Sequence, residues 1–110
     1  MTSKEVKSLY RSPVRMPNGL QWYGDELYVM DQLTDDVFVL NEKGSVKRVI
    51  WTETVNGSGI TISDGYIWTA CNSNSGATAR PKRSYDDHVA NVRKVDIATG
   101  ETVDFFPTPD

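Results

Sequence analysis

At 110 residues, with 38% apolar and 25% charged side chains, the chain has the composition of one soluble globular domain, which excludes a disordered polymer. No apolar run approaches the ~18 residues of a membrane-spanning helix, and the opening MTSKEVKSLY lacks the apolar core of a secretory signal, so a cytoplasmic chain with no membrane partner is expected. A single cysteine, Cys71, leaves no internal disulfide and no cysteine-built zinc site within one chain, and a net charge of −3 argues against nucleic acid as a partner.

Taken in order, the chain reads as short strands punctuated by turn residues. Polar residues 1–5 form a mobile lead, and VKSLYR, residues 6–11, reads as a first strand. Pro13, Pro17 and Gly19 then break the chain and steer it onward, because proline brings no ladder donor and glycine admits positive φ. Leu20–Tyr23 is a short apolar strand, Gly24-Asp25 a tight turn, Leu27–Met30 a second strand. The cluster from Gln32 to Asp36 turns the chain into Val37–Leu40, and Asn41–Gly44 turns it into Val46–Thr52. A second set runs Gly59–Ile62, a turn at Ser63-Asp64-Gly65, then Tyr66–Ala70. After a long excursion it resumes at Asn91–Val95, turns at residues 96–100 and ends in Thr102–Phe106. No helical periodicity competes with this all-β reading.

The two sets are copies of one repeat. MPNGLQWYGDELYVMDQ, residues 16–32, returns as NGSGITISDGYIWTACN, residues 56–72, at a constant offset of 40. Asn18 then falls on Ser58, Leu20 on Ile60, Tyr28 on Trp68 and Asp31 on Cys71. The leading VKSLYR falls on VKRVIW in the same register, with Tyr10 on Ile50. A strand-rich period of about 40 residues, with a turn signal every eight to ten, predicts four-stranded propeller blades. Residues 6–14 are then an extra N-terminal outer strand, 18–54 a first blade, and 58–107 a second blade carrying an insertion at 73–90.

That insertion, SNSGATARPKRSYDDHVA, separates the copies most. A long loop with no secondary structure of its own is functional or mobile. It holds the one histidine, His88, beside Asp86 and Asp87, and the cations Arg80, Lys82 and Arg83. It reads either as a solvated insertion balancing its own charge or as a ligand clamp, with Arg80, Arg83, Asp86 and His88 as contacts. Trp22, Trp68 and Phe38 are expected to pack between blades, Trp51 to serve an interface, and Cys71 to be buried and inert.

PNGLQWYGDELYVMDQ resembles the blade motif of the SMP-30/gluconolactonase and NHL-like propellers. VRKVDIATGETVDFFPTP is similar to the blade ending of streptogramin-lyase-like propellers, so the resemblance spans residues 6–110. It implies a propeller scaffold that hosts lactonases, lyases and pure binders. In the gluconolactonase-type enzymes the asparagine of an NGL motif ligates a divalent metal in the central channel, which the resemblance carries onto Asn18. Ser58 departs from that pattern, and neither Asn18 nor Ser58 is the histidine that a streptogramin lyase places before its inner-strand glycine. Asp31, at the end of the second strand, falls on Cys71 in the other copy.

Two blades leave two apolar sheet faces bare, so the chain is not expected to act as a monomer. Three copies closing a six-bladed ring is the simplest solution, and it gathers three Asn18 and three Ser58 side chains around one channel, with Asp31 a candidate ligand contact that can reach the same face. The surplus leading strand leaves two origins open: the front part of a longer propeller chain, or an edge strand that drives another assembly. The function expected is a small-ligand binding or assembly module with no cofactor. The alternative is a metal-dependent lactonase or hydrolase, with a divalent cation at Asn18.

Overall fold

The computed structural model describes residues 9–72, 81, 83, 84 and 89–108. Eight strands follow one another along the chain: β1 Pro17–Tyr23, β2 Glu26–Asp31, β3 Asp36–Leu40, β4 Val46–Trp51, β5 Gly57–Ser63, β6 Tyr66–Cys71, β7 Asn91–Asp96 and β8 Thr102–Pro107. They form two four-stranded antiparallel sheets, ordered β1-β2-β3-β4 and β5-β6-β7-β8. Each of the eight strands covers a segment expected from the sequence, to within a few residues at its ends. Among the described residues there is no helix, hence none long and apolar enough to cross a membrane.

The sheets are meanders because every connection within the first, and two of the three within the second, are made by turn chemistry that returns the chain at once. Asn41 closes the β3–β4 turn by accepting the amides of Lys43 and Ser45 on its Oδ1 (2.9 and 3.0 Å), and Asp96 closes β7–β8 by accepting those of Ala98 and Thr99 (2.8 and 3.1 Å). The pairing registers show how deep the repeat runs. Both first hairpins carry an irregularity at the start of the inner strand, and both last hairpins carry one before the turn. The offset of 40 holds across β1/β5 and β2/β6, becomes 55 from β3 to β7 (Val37 to Val92) and 56 from β4 to β8 (Ile50 to Phe106). The insertion therefore lengthens the connection and leaves the blade-like sheet intact.

Residues opposed across an antiparallel pair share a face, so the register sorts the side chains. In the first sheet Tyr28, Met30, Val37, Val39 and Ile50 form one cluster with Ile62, Ile67 and Val95 of the second, with Ile60 and Ile97 packed at its margin. This is the core, and it lies between the sheets. The inner strands are tied as well: the Gln21 carboxamide donates to Ile62 O and accepts from Ile62 N, both at 3.0 Å. The other face of the first sheet carries Leu20, Trp22, Leu27, Val29, Phe38, Leu40 and Val49. Among the described residues Val14 closes over part of it, packed with the buried Val29 and Leu40, and the Tyr10 ring lies against Gly44. The other face of the second sheet carries Trp68, Ala70, Val92 and Phe106, with Trp68 stacked on Phe106 at 6.1 Å between centroids.

The expected leading strand departs from the structure. Residues 6–8 lie outside the described residues, and Leu9–Val14 carry no strand. An outer strand needs a blade edge to pair with, and the described residues offer none there. Instead the Ser12 hydroxyl closes a turn, donating to Val14 O and accepting from Val14 N at 3.0 Å. Trp22 and Trp68 also take no part in the packing between the two sheets; they sit on the faces turned away from each other.

Candidate amide site at the start of the inner strands

The starts of β1, β3, β5 and β7 and the ends of β2, β4 and β6 meet at one end of the sheets, because antiparallel neighbours alternate direction. Asn18, the second residue of β1, is exposed there. Its Nδ2 donates to Gln32 Oε1 at 3.1 Å and to Gly57 O at 3.4 Å. Gln32 Nε2 donates on to Asn56 Oδ1 at 2.7 Å, and Asn56 O accepts from Asn72 Nδ2 at 3.2 Å. A chain of carboxamides therefore bridges the two sheets. Gln32 and Asn72 are forty residues apart, one following each second strand, so the repeat supplies one amide per copy. Ser58 lies on the same end, its hydroxyl donating weakly to Ala70 O at 3.5 Å.

Two carboxylates of this end, Asp31 and Asp35, are tied to backbone. Asp31 is buried and accepts the Leu33 amide on Oδ1 at 2.9 Å, which caps the turn between β2 and β3. Asp31 is a candidate ligand contact from the sequence, and its Oδ1 holds its own turn. Asp35, an ordinary turn former by its sequence context, is fully buried and accepts the Gly57 amide at 2.8 Å. Its carbonyl takes the Thr52 hydroxyl at 2.8 Å, and Thr52 Oγ1 stands 2.6 Å from Thr54 Oγ1. Asp35 thereby fastens the β2–β3 turn of the first sheet to the start of β5, which explains its burial as an acid with charge-assisted partners.

Of the insertion residues expected to contact a ligand, Arg80, Asp86 and His88 lie outside the described residues. Arg83 is placed: its Nη1 donates to Thr52 O at 3.3 Å, at the end of β4. It stands beside Asp36, at the start of β3. Burial pushes the Asp36 carboxyl above its ordinary value, and the Arg83 charge and the Thr34 side chain pull it back only in part. Arg83 thus ties the insertion to the first sheet. Cys71 is buried as expected, with Thr69 Oγ1 3.8 Å from its sulfur.

The donor set around Asn18 does not suit a hard cation. Calcium takes about six to eight oxygens, several of them carboxylate. Asn18 is surrounded instead by the neutral groups Gln32, Asn56 and Gly57 O, already hydrogen-bonded to one another. No trio of histidine, cysteine, aspartate and glutamate gathers among the described residues. The arrangement suits donation and acceptance of neutral hydrogen bonds. A surface depression of about 290 Å³, lined by Asp25, Asn41, Glu42, Lys43 and Lys47, lies at the opposite end of the first sheet and involves none of these residues. Beside it Lys47 pairs with Glu26 at 2.8 Å and holds that carboxyl below its ordinary value.

Comparison of the chain with known protein families finds no matching family model, and comparison with curated proteins finds no match.

Proposed function

We propose that this chain is an assembly and binding module: two blades of a propeller-type ring that is closed by further blades, three copies of the chain being the simplest closed set. The amide-lined end of the inner strands is the mouth at which such a ring takes a small polar ligand. The observation that carries this reading is that the two bare faces repeat the two faces of the internal core. On the first sheet, Leu20, Trp22, Leu27 and Leu40 hold the positions that Ile60, Ile62, Ile67 and Val95 hold in the buried face of the second. On the second sheet, Trp68, Ala70, Val92 and Phe106 hold the positions of Tyr28, Met30, Val37 and Ile50.

Both outward faces carry exposed apolar side chains, with Leu20 at 62%, Trp22 at 51% and Phe106 at 44%, while Leu40 is covered and Trp68, Ala70 and Val92 are half-buried. Exposed apolar patches of this kind mark interaction surfaces. A face of one kind fits a face of the other, so the contact is heterologous, and heterologous contacts close into rings when the rotation permits. Asp31 and Asp35 are engaged by backbone amides, which favours a structural over a general-base role for these two carboxylates.

Solution mass tests the reading. Light scattering on a sizing column is expected to give a mass near three times the 12.3 kDa of the chain. A monodisperse 12.3 kDa species at every concentration would count against self-closure and leave further blades of a longer chain as the source of the covering faces.

A further inference from the structure

The leading segment, which forms no strand, nevertheless lies in a place that the repeat explains. In the core, the end of β4 crosses the β7–β8 turn at Gly100. A Cβ on Gly100 would meet the Trp51 carbonyl, with Ile50 Cγ2 at 3.1 Å. In the first sheet the equivalent turn is β3–β4, its glycine is Gly44, and a Cβ there would run into the ring of Tyr10. Tyr10 precedes Ile50 by the repeat offset of 40. Four residues further on, Val14 is buried against Val29 and Leu40, and its repeat equivalent Thr54 is buried where the chain crosses toward β5. Leu9–Val14 therefore lies on the outer face of the first sheet as residues 49–54 lie on the inner face of the second.

In the second sheet the residue equivalent to Ile50 is Phe106, in β8. If the bare faces close on one another as the core does, Phe106 of a second copy arrives over Gly44, where Tyr10 already sits. A second copy brings a complete four-stranded sheet with its own outer strand, so it has no vacancy for the leading segment to fill. Resting on the assembly reading above, we infer that Leu9–Val14 is a built-in competitor for self-association: it holds the slot on the first sheet into which a second copy docks the end of its β8 at Phe106. The segment is a partial cover. Tyr10 remains 43% exposed, Leu9 is exposed, and Leu20 and Trp22 are left bare. Displacing it leaves the β1–β4 hydrogen-bond ladders untouched.

Sedimentation velocity over a concentration series, on the full chain and on the Tyr10→Ala and Tyr10→Ser variants, tests this. Thermal melting of each variant checks that the fold is retained, which is expected for a half-exposed side chain. Both variants are expected to associate at roughly tenfold lower concentration than the wild-type chain, because one aromatic anchor no longer has to be displaced. Adding Trp22→Glu to either is expected to abolish association. Weaker association of the Tyr10 variants would overturn the inference and make the segment part of the joint; unchanged association would also overturn it, with the ring reading left standing. No association by wild type or variant at any concentration would overturn both.

Discussion

The two sheets share strand order, register and hairpin irregularities, yet the same positions meet different fates in them. Tyr28, Met30, Val37 and Val39 of the first sheet are sealed into the core. Their equivalents Trp68, Ala70, Val92 and Lys94 face outward, with the Lys94 ammonium 4.1 Å from the Tyr66 ring centroid and 5.5 Å from that of Trp68. The reverse holds on the other side, where Ile62 and Ile67 are buried while Trp22 and Leu27 are not. Apart from the insertion, what separates the two sheets among the described residues is which face has a neighbour. A repeat thus carries the pattern for an interface even where the chain supplies only one side of it.

Substitutions at equivalent positions break this comparison most strongly in the core. Ile62→Ala is expected to cost about 2–4 kcal/mol, because it opens a cavity in the core cluster between the sheets. Trp22→Ala, at the same repeat position, is expected to change the stability of the isolated chain by less than about 1 kcal/mol and to act instead on association. Chemical denaturation of both variants reads the contrast. The turn glycines sharpen it further. Gly100→Ala drives a methyl into the Trp51 backbone carbonyl at φ +79 and should cost about 3 kcal/mol. Gly44→Ala meets only a Tyr10 ring that can swing aside, and is expected to cost about 1 kcal/mol through its φ of +84.

The polar tie between the inner strands comes next in size. Gln21→Ala leaves the amide and carbonyl of Ile62 without their partner and is expected to cost about 1–3 kcal/mol. Its equivalent Thr61 is exposed, so Thr61→Ala should stay within about 0.5 kcal/mol. The smallest effect is a pH slope. Because the folded state raises the Asp36 carboxyl above its unfolded value, the folded protein holds that proton to higher pH, and stability falls as pH rises from the ordinary carboxylate range through the folded value. Asp36→Asn is expected to flatten that slope and Arg83→Ala to steepen it, which melting temperatures measured from pH 3 upward will show.

The strands were legible because short apolar runs, turn residues and a fixed period all point to one architecture, and eight of the nine expected strands are the eight observed. The fate of Leu9–Val14 was half legible: the offset places Tyr10 at the position of Ile50, but a strand requires a paired edge, which sequence similarity alone does not provide. Within the candidate site, Asn18 stands out in sequence through its NGL motif and Ser58 as its repeat partner, and both lie at the same end of the sheets. The carboxamide bridge through Gln32, Asn56 and Asn72 does not stand out, since it joins residues that are ordinary turn formers in sequence and meet only when β1 lies against β5. Asp35 was hidden for the same reason. A carboxylate in a run of turn residues reads as solvated, and only the arrival of the Gly57 amide from the next sheet explains its burial. Asp31 and Arg83 show the converse: charges read as ligand contacts are here held by the Leu33 amide and by the Thr52 carbonyl.

The central claim is that the bare face of the first sheet and the bare face of the second close on one another between copies. Complementary variants test it most directly. Trp22→Glu spoils one face and Trp68→Glu the other, so each chain alone is expected to run at 12.3 kDa in light scattering. An equimolar mixture is expected to form a capped pair at about twice that mass, through the intact second-sheet face of one variant and the intact first-sheet face of the other. A mixture that stays at 12.3 kDa, or single variants that associate as the wild-type chain does, would contradict it.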